Sequence, residues 1–268
     1  MGRALALGWL KAGLDAKALY VVDPALGEGR PSDILPGALS GLPTGNIASN
    51  TSALPVGLTP RAIVLAVKPQ IIDDIVSSFS AFLTGDQLFI SVAAGITLAR
   101  LQAGAGKNSA LVRAMPNMPA AIGAGITGMV AGAGVSSSQK QLADDLLTAI
   151  GETVWIDSET LMDAVTAVSG SGPAYLFHLV ESMAAAGADQ GLSEDVAMQL
   201  ARQTVIGAAQ MLATEDELSA AELRGRVTSP GGTTAAALDV LAGADKGMTT
   251  LLKNAIEAAT MRGAELAK

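Results

Sequence analysis

Apolar residues up to Asp157 fall into short continuous runs that are separated by longer stretches with helical spacing. The runs are rich in Val, Ile and Leu, which predicts buried strands at 19–22, 62–67, 88–92, 110–115, 125–130 and 154–156. The stretches between them predict helices at 3–13, 70–83 and 139–150. Strands that alternate with helices indicate a parallel sheet covered on both faces, the doubly wound α/β architecture.

The pattern changes after Asp157, because the rest of the chain has little β-branched alternation and much Ala, Leu and Met at helical spacing. We therefore expect two domains, an α/β domain over 1–157 and an all-helical domain over 158–268. Residues 167–188 are apolar on nearly every side of the predicted helix. A helix that is apolar all round must be buried all round, so we expect the helices of one subunit to be covered by those of another.

Composition excludes several classes of function. The formal net charge of -8 argues against nucleic acid or an anionic membrane surface as a partner, since either requires a basic face. The absence of Cys and the presence of one His exclude disulfides, Cys-ligated metals and multi-His zinc sites, so no metal site is expected. The N-terminus has no secretory pattern, and we expect a cytoplasmic enzyme. Several glycines and two prolines in the uncharged stretch 114–139 favour a strand and turns there over a membrane-spanning helix.

The beginning of the chain is unusual for a dinucleotide-binding domain. Such a Rossmann-like domain opens with a strand and a Gly-x-Gly-x-x-Gly turn, followed by a helix whose N-terminus carries the pyrophosphate. Here the chain enters a helix directly after Met1, so the first strand is apparently missing if Gly2 is the third glycine of that turn. Asp23 then stands where an acid binds the adenosine ribose hydroxyls. The alternative is that 1–13 is an ordinary helix and Asp23 a turn residue.

Four segments taken together carry a family resemblance. In chain order they are LAVKPQ at 65–70, VRAMPNMP at 112–119, SGSGPAY at 169–175 and VTSPGGTT at 227–234, the last followed by LDVL at 238–241. Their order and separation along essentially the whole chain resemble the pyrroline-5-carboxylate reductase family, the enzymes that make proline. The resemblance implies the reduction of 1-pyrroline-5-carboxylate to L-proline with NADPH or NADH as cofactor. It also implies a homodimer or a higher ring such as a decamer.

Candidate cofactor residues follow the predicted strands, whose carboxyl ends bind ligands in doubly wound sheets. The resemblance implies that one loop touches the cofactor through Ala66, Val67, Lys68 and Pro69, although Lys68 at a strand end is also typical of a solvated side chain. The lack of bulk at Ala93 and Ala94 would let a nicotinamide ribose approach, and Asn50 is the candidate for the adenosine contact. Asp23 favours NADH and Arg30 favours NADPH, so the preference stays open.

Asn117 follows the predicted strand at 110–115, between two prolines that hold the backbone away from helical conformation. Its amide either positions the nicotinamide or braces the floor of the active site. Ser171 lies in the glycine-rich segment SGSGP, which by the resemblance faces the nicotinamide and the substrate. Close packing of helices through glycine is the alternative for that segment.

The SPGGTT segment carries the predicted substrate site. Free backbone amides at the start of a helix predicted over 234–241 suit a substrate carboxylate. The resemblance implies substrate binding by Ser229, Gly231, Gly232 and Thr233, and it places the Thr234 hydroxyl near the imine nitrogen as a catalytic group. Glu217 is the second catalytic candidate, with a solvated surface acid as the alternative. Glu159 also matches a substrate-site position of the family.

Two other functions remain open from the residues alone. A β-hydroxyacid dehydrogenase would need a lysine base in the helical domain, and 158–244 contains no lysine. A catalytically silent dinucleotide-binding protein is favoured only by the missing glycines. The single histidine, His178, lies in an apolar helix, and we expect it to be buried and structural rather than catalytic.

Overall fold

The chain forms two compact units in the computed structural model, which describes residues 1–23, 41–82, 85–106 and 109–266. Unit 1 comprises Met1–Gly170 and the end of the chain from Met261, and unit 2 comprises Ser171–Thr260. The sequence pattern puts the change of domain after Asp157 instead. The difference has a physical cause, because residues 159–170 are helical in pattern yet pack against the sheet of unit 1.

Seven strands form two sheets among the described residues of unit 1. A two-stranded parallel sheet pairs β1 with β2, and a five-stranded sheet has the order β3-β4-β5-β6-β7. The strands are β1 Val21–Val22, β2 Ile47–Ala48, β3 Ala62–Leu65, β4 Leu88–Ser91, β5 Ala110–Pro116, β6 Gly125–Ala131 and β7 Gly151–Trp155. Among the described residues, no strand precedes the first helix.

The expectation of a purely parallel sheet is wrong at one position, because β6 runs antiparallel to β5. The linker between them, 117–124, contains only the short 3₁₀ turn Met118–Ile122, and a parallel connection needs a crossover of a dozen residues or more. A helix does separate β6 from β7, and these two strands are parallel.

Helices cover both faces of the five-stranded sheet. They are α1 Gly2–Lys11, α2 Ile72–Ser78, α3 Leu98–Ala105, α4 Ser137–Leu147 and the short α5 Met162–Val165, which continues into the π-helical turn Thr166–Gly170. Local sequence explains where two of them begin. The Thr97 hydroxyl caps α3, and Ser136 with Gln139 forms a capping box at the start of α4.

The core of unit 1 follows the alternation of side chains along the strands. Leu88 and Ile90 pack towards α1 and α4, whereas Phe89 between them packs towards α2 and α3. Each fully buried side chain of this size contributes about 1.5–3 kcal/mol of hydrophobic stabilisation. Helix α1 packs in addition on the two-stranded sheet through Ala6. The predicted doubly wound plan is therefore confirmed in unit 1.

Unit 2 is entirely helical, as the sequence predicts. Its helices are α6 Gly172–Asp189, α7 Glu194–Thr214, α8 Ala220–Arg226, α9 Thr233–Leu241 and α10 Met248–Leu266, the last of which ends in unit 1. Helices α6 and α7 approach closely, since a Cβ on Gly187 would lie 3.3 Å from the Cβ of Ala197.

The core of unit 2 is small. Among the described residues its buried cluster consists of Ala184, Ala197 and Ala201, with Val180 packed against them. Many large apolar side chains of unit 2 are exposed, among them Leu176, Phe177, Leu200, Met211, Leu212, Val240 and Leu251. None of the described helices combines the length and the apolar character that crossing a bilayer requires.

Candidate functional site

The first candidate region lies where α1 meets β3. A Cβ built on Gly2 would lie 3.2 Å from the Cβ of Ala66, so a larger residue would push the helix away from the end of the strand. The third glycine of a dinucleotide-binding fingerprint is selected for this close helix–strand packing. The first turn of α1 carries no acidic residue and no side-chain cap among the described residues, which leaves its N–H groups suited to a phosphate.

Asp23 and Asn50 follow the strands of the two-stranded sheet. The backbone N–H of Asp23 donates to the Ala48 carbonyl oxygen at 3.0 Å, which extends the pairing of β1 with β2. The Asn50 side-chain oxygen accepts hydrogen bonds from the Ala53 N–H at 3.1 Å and the Ser52 hydroxyl at 2.6 Å. Asp23 thus stands at the carboxyl edge as predicted, whereas the Asn50 oxygen is taken up by its own turn. Arg30 lies outside the described residues.

The loops after β3 and β4 lie side by side, because these strands are parallel and in register. Lys68 is exposed and precedes the 3₁₀ turn Pro69–Ile71. Ala93 is buried and Ala94 exposed, and Gly95 has a φ of 75°, which only glycine adopts readily. The small side chains and the close packing at Gly2 form an edge that fits an extended dinucleotide.

Glu159, predicted to bind substrate, is engaged within unit 1. Its Oε1 accepts from the Arg113 guanidinium at 2.8 Å and from the Leu98 N–H, also at 2.8 Å. Leu98 is the first residue of α3, so the carboxylate lies at the positive end of that helix dipole. The Arg113 side chain is 6% exposed, so the guanidinium of this ion pair is nearly buried.

Asn117 is also held on both sides of its amide. The Nδ2 group donates to the Ser169 carbonyl oxygen at 3.3 Å, and Oδ1 accepts from the Ile126 N–H at 3.0 Å. Asn117 as a whole is 9% exposed and so nearly buried. Of the two roles that the sequence leaves open, the geometry favours bracing over contact with the nicotinamide.

The SPGG segment of unit 2 forms a tight turn. The Gly232 N–H donates to the Ser229 carbonyl oxygen at 3.0 Å, and Gly231 has a φ of 70°. With Pro230 at the second position, these features define a type II turn. The positive φ favours glycine at position 231, and a Cβ on Gly232 would crowd the Ser229 carbonyl oxygen at 3.2 Å.

Helix α9 begins directly after this turn, at Thr233, one residue earlier than the sequence pattern predicts. No side chain among the described residues caps its N-terminus. The turn therefore presents the first N–H groups of the helix beside the Thr233 and Thr234 hydroxyls. Such an arrangement favours a small carboxylate ligand.

The remaining candidate residues of unit 2, Glu217 and Ser171, lie outside the SPGG turn. Glu217 lies exposed in the turn between α7 and α8, and within the described residues its carboxylate makes no hydrogen bond or ion pair. An exposed ion pair of 3.9 Å between Glu215 and Arg226 ties this turn to the end of α8, just before the SPGG turn. Ser171 is half-buried at the start of α6.

The expectation that His178 is buried is wrong for the single chain. Its side chain is exposed and lies 3.2 Å from the Glu181 carboxylate, one turn further along α6. The apolar residues around it in sequence point to the outer faces of unit 2, which are themselves exposed.

Known proteins resemble the chain over both units. Residues 159–266 match the family model described as pyrroline-5-carboxylate reductase dimerisation. The pyrroline-5-carboxylate reductase of Pseudomonas aeruginosa is 47% identical over 206 residues, which cover 77% of this chain and 74% of that protein. The chain belongs to the pyrroline-5-carboxylate reductase family.

Solved structures of pyrroline-5-carboxylate reductases support the same assignment. The enzyme from Coxiella burnetii is 33% identical and superposes with a TM-score of 0.86, covering 100% of this chain and 95% of the other. The pyrroline carboxylate reductase of Plasmodium falciparum, solved with NADP bound, is 29% identical with a TM-score of 0.78 and the same coverage. The family and the fold class predicted from the four motifs are confirmed.

Arg113 is a residue that the sequence pattern did not single out. It is the sole charge in the apolar run of β5, and a buried charge needs a partner. That pattern indicates a buried ion pair, but it does not indicate that the partner is Glu159, which is distant in sequence.

Proposed function

We propose that the protein catalyses the NAD(P)H-dependent reduction of 1-pyrroline-5-carboxylate to L-proline, the last step of proline biosynthesis. The observation that carries the proposal is the type II turn at Ser229–Gly232 followed by the uncapped start of α9. The N–H groups at the helix start after that turn suit the carboxylate of a small amino acid. The family model covers the unit that contains the turn. The resemblance to reductases extends through the dinucleotide-type unit 1.

The substrate carboxylate binds at the N-terminus of α9. The Gly232 N–H is already used within the turn, so the carboxylate accepts from the N–H groups that follow it, at Thr233 and Thr234. Hydrogen bonds to a charged group contribute about 1.5–3 kcal/mol each. Ser229 and Gly231 shape the turn, and Ser171 completes the set of substrate-binding residues.

The proton chemistry requires little of the side chains. Reduction breaks the C5=N π bond, so the electron pair of that bond passes to nitrogen as hydride adds to carbon. A substrate that is already protonated at nitrogen becomes the neutral amine in one step. The Thr234 hydroxyl accepts a hydrogen bond from this iminium N–H, and the negative charge of Glu217 favours the protonated form.

The cofactor residues belong to unit 1. When bound, a dihydronicotinamide cofactor supplies the hydride. The first turn of α1 at Gly2 holds the pyrophosphate, and Asp23 binds the ribose hydroxyls. Further contacts come from the loops after β2, β3 and β4, namely from Asn50, Ala66, Val67, Lys68, Pro69, Ala93 and Ala94. Asn117 braces this edge rather than touching the cofactor.

The exposed apolar faces of unit 2 and the match to a dimerisation model support a homodimer. We propose that such dimers assemble further into a ring such as a decamer. We place the enzyme in the cytoplasm. Its small-molecule substrate and acidic surface accord with a soluble metabolic role.

Turnover with 1-pyrroline-5-carboxylate tests the proposal directly. The loss of dihydronicotinamide absorbance and the appearance of L-proline should follow each other in equal amounts with NADPH or NADH. Glu217→Gln should lower kcat, whereas Asp216→Asn in the same exposed turn serves as the matched control. The absence of proline formation with both cofactors would overturn the proposed reaction.

A further inference from the structure

Two polar side chains, one in the middle of β5 and one directly after it, reach the same stretch of chain. Arg113 lies within the strand, and Asn117 directly follows it. The stretch they reach is the connector, residues Glu159–Gly170, which consists of a 3₁₀ turn, α5 and the π-helical turn. The connector ends immediately before Ser171, the first residue of unit 2.

The first anchor holds the start of the connector. Glu159 bonds the Arg113 guanidinium and the Leu98 N–H through one carboxylate oxygen, both at 2.8 Å. Since Arg113 is nearly buried, its charge has little access to water and depends on this partner.

The second anchor holds the end of the connector. Asn117 donates to the carbonyl oxygen of Ser169, which lies in the π-helical turn, and accepts from the Ile126 N–H of β6. Turns of this type interrupt the regular hydrogen-bond ladder of a helix, so their carbonyl groups are open to side-chain donors, and they are frequent at functional sites.

Between the anchors the connector lies directly against the sheet. A Cβ on Gly128 of β6 would come within 2.5 Å of the Val165 Cγ1, and a Cβ on Gly170 would lie 3.0 Å from the Met115 Cε. The branched Val165 side chain leaves room only for glycine at position 128, whereas the flexible end of Met115 can adjust at position 170. The packing leaves the connector no room to move towards the sheet, and the two anchors prevent it from moving away.

We infer that Arg113 and Asn117 are positioning residues that clamp the connector to β5 at two points and so fix the glycine-rich segment Ser169–Ser171 for catalysis. Its catalytic consequence rests on the proposed function, because the resemblance assigns that segment to the nicotinamide and substrate. Neither residue acts on the reacting atoms. Each acts through the backbone of the connector.

Asn117→Asp isolates the second anchor. The carboxylate keeps the size of the side chain and the acceptor for Ile126, but it loses the donor to Ser169 and places an anion against that carbonyl oxygen. We expect kcat to fall roughly 10- to 100-fold, as small misplacements of reacting groups do, while the KM for the imine changes little. The unfolding midpoint should also fall, because the new carboxylate is nearly buried and faces a carbonyl oxygen, so kcat is compared at a temperature where both proteins are folded. Gln141→Glu is the matched control, since it removes an exposed amide donor to Asp145 on α4, and it should leave kcat unchanged.

A double variant tests whether the anchors act as one clamp. Glu159→Gln keeps an acceptor oxygen but removes the charge opposite Arg113, and it should lower kcat less than Asn117→Asp. The combination with Asn117→Asp should have the kcat of the worse single variant, because groups that act as a unit are not additive. Independent, multiplicative losses, or an unchanged kcat in folded Asn117→Asp, would overturn the clamp.

Hydrogen exchange separates the clamp from the proposed reaction. Amides of 166–171 should exchange faster in Asn117→Asp than in the parent protein, and equally fast in Gln141→Glu and the parent protein. This result is expected whatever the substrate is. Equal exchange in all three proteins would contradict the clamp, whereas a parent protein that makes no proline would contradict only the proposed reaction.

Discussion

Units 1 and 2 bury their apolar residues very differently. Unit 1 packs Leu, Ile and Phe side chains between a sheet and helices on both faces, whereas the buried cluster described in unit 2 is made of three alanines. Large side chains such as Leu200 lie on the exposed faces of unit 2 instead. The difference teaches that unit 1 carries its own core, and that unit 2 needs a second surface to complete one.

The largest effect on stability is expected in the core of unit 1. Phe89 is almost fully buried between β4 and the helices α2 and α3. Phe89→Ala should lower the free energy of unfolding by about 3–5 kcal/mol, because it removes apolar contact and leaves a cavity. Denaturant titrations should give the same loss at every protein concentration. A loss that depends on concentration would mean that unit 1 also relies on assembly.

A smaller effect is expected on the outer face of unit 2. Leu200 on α7 is 54% exposed in the single chain. Leu200→Glu should weaken the proposed dimer by about 2 kcal/mol or more, as the loss of a central interface residue does, and sedimentation should show dissociation at low concentration. Val56→Glu, an exposed apolar position in unit 1, is the control and should leave the assembly intact. If both variants sediment like the parent protein, the face of α7 that carries Leu200 is not part of the dimer interface.

The Ser229–Gly232 turn, proposed to bind the substrate, allows a test that leaves both cores untouched. Gly231 has a positive φ, so Gly231→Ala should strain the turn by roughly 1–2 kcal/mol. We expect a higher KM for the imine with the assembly unchanged. Gly225→Ala in α8 is the matched change, because nothing lies within 4 Å of its Cβ position and helix propensity favours alanine. Steady-state kinetics of both variants give the two KM values. An unchanged KM in Gly231→Ala would show that the turn does not bind the substrate.

The smallest effects concern exposed carboxylates, one in each unit. Hydrogen bonds from the Ser219 hydroxyl and backbone N–H lower the pKa of Glu222 in unit 2, and those from Arg100 lower the pKa of Asp73 in unit 1. A lowered folded pKa stabilises the protein above the ordinary pKa of about 4 and loses that contribution as pH falls through the folded value.

Carbon NMR titrations of the two carboxyl groups should show both midpoints below the ordinary range. High salt should weaken the ion pair at Asp73 more than the capping box at Glu222. Glu222→Gln should slightly reduce the loss of stability at acidic pH, because the variant lacks the titrating carboxylate of the capping box. An ordinary midpoint for Glu222 would show that the capping box does not persist in solution.

Features with local causes were accessible from the sequence. The apolar runs predict the strands of unit 1 except the two-residue β2, Ile47–Ala48. Pro230 with two glycines predicts a turn before α9. The reversal of β6 was also within reach, because the linker 117–124 is too short for a crossover. The predicted parallel direction came from the alternation of strands and helices, which says nothing about linker length.

Features that depend on distant contacts were not accessible. The pairing of Arg113 with Glu159 and the contact of Asn117 with Ser169 join residues far apart in sequence. The packing of 159–170 on the sheet likewise depends on Gly128 lying opposite Val165. His178 is exposed because it lies on the outer face of α6, which is exposed in the single chain.

The alanine cluster between α6 and α7 has a mechanical consequence. Alanine has no side-chain rotamers, so this contact is shallow, with Val180 as the larger side chain packed against it. Shallow packing by itself opposes the sliding of one helix along the other only weakly. The register of the two helices therefore depends also on the short link between them, where the Leu192 N–H donates to the Gly187 carbonyl oxygen.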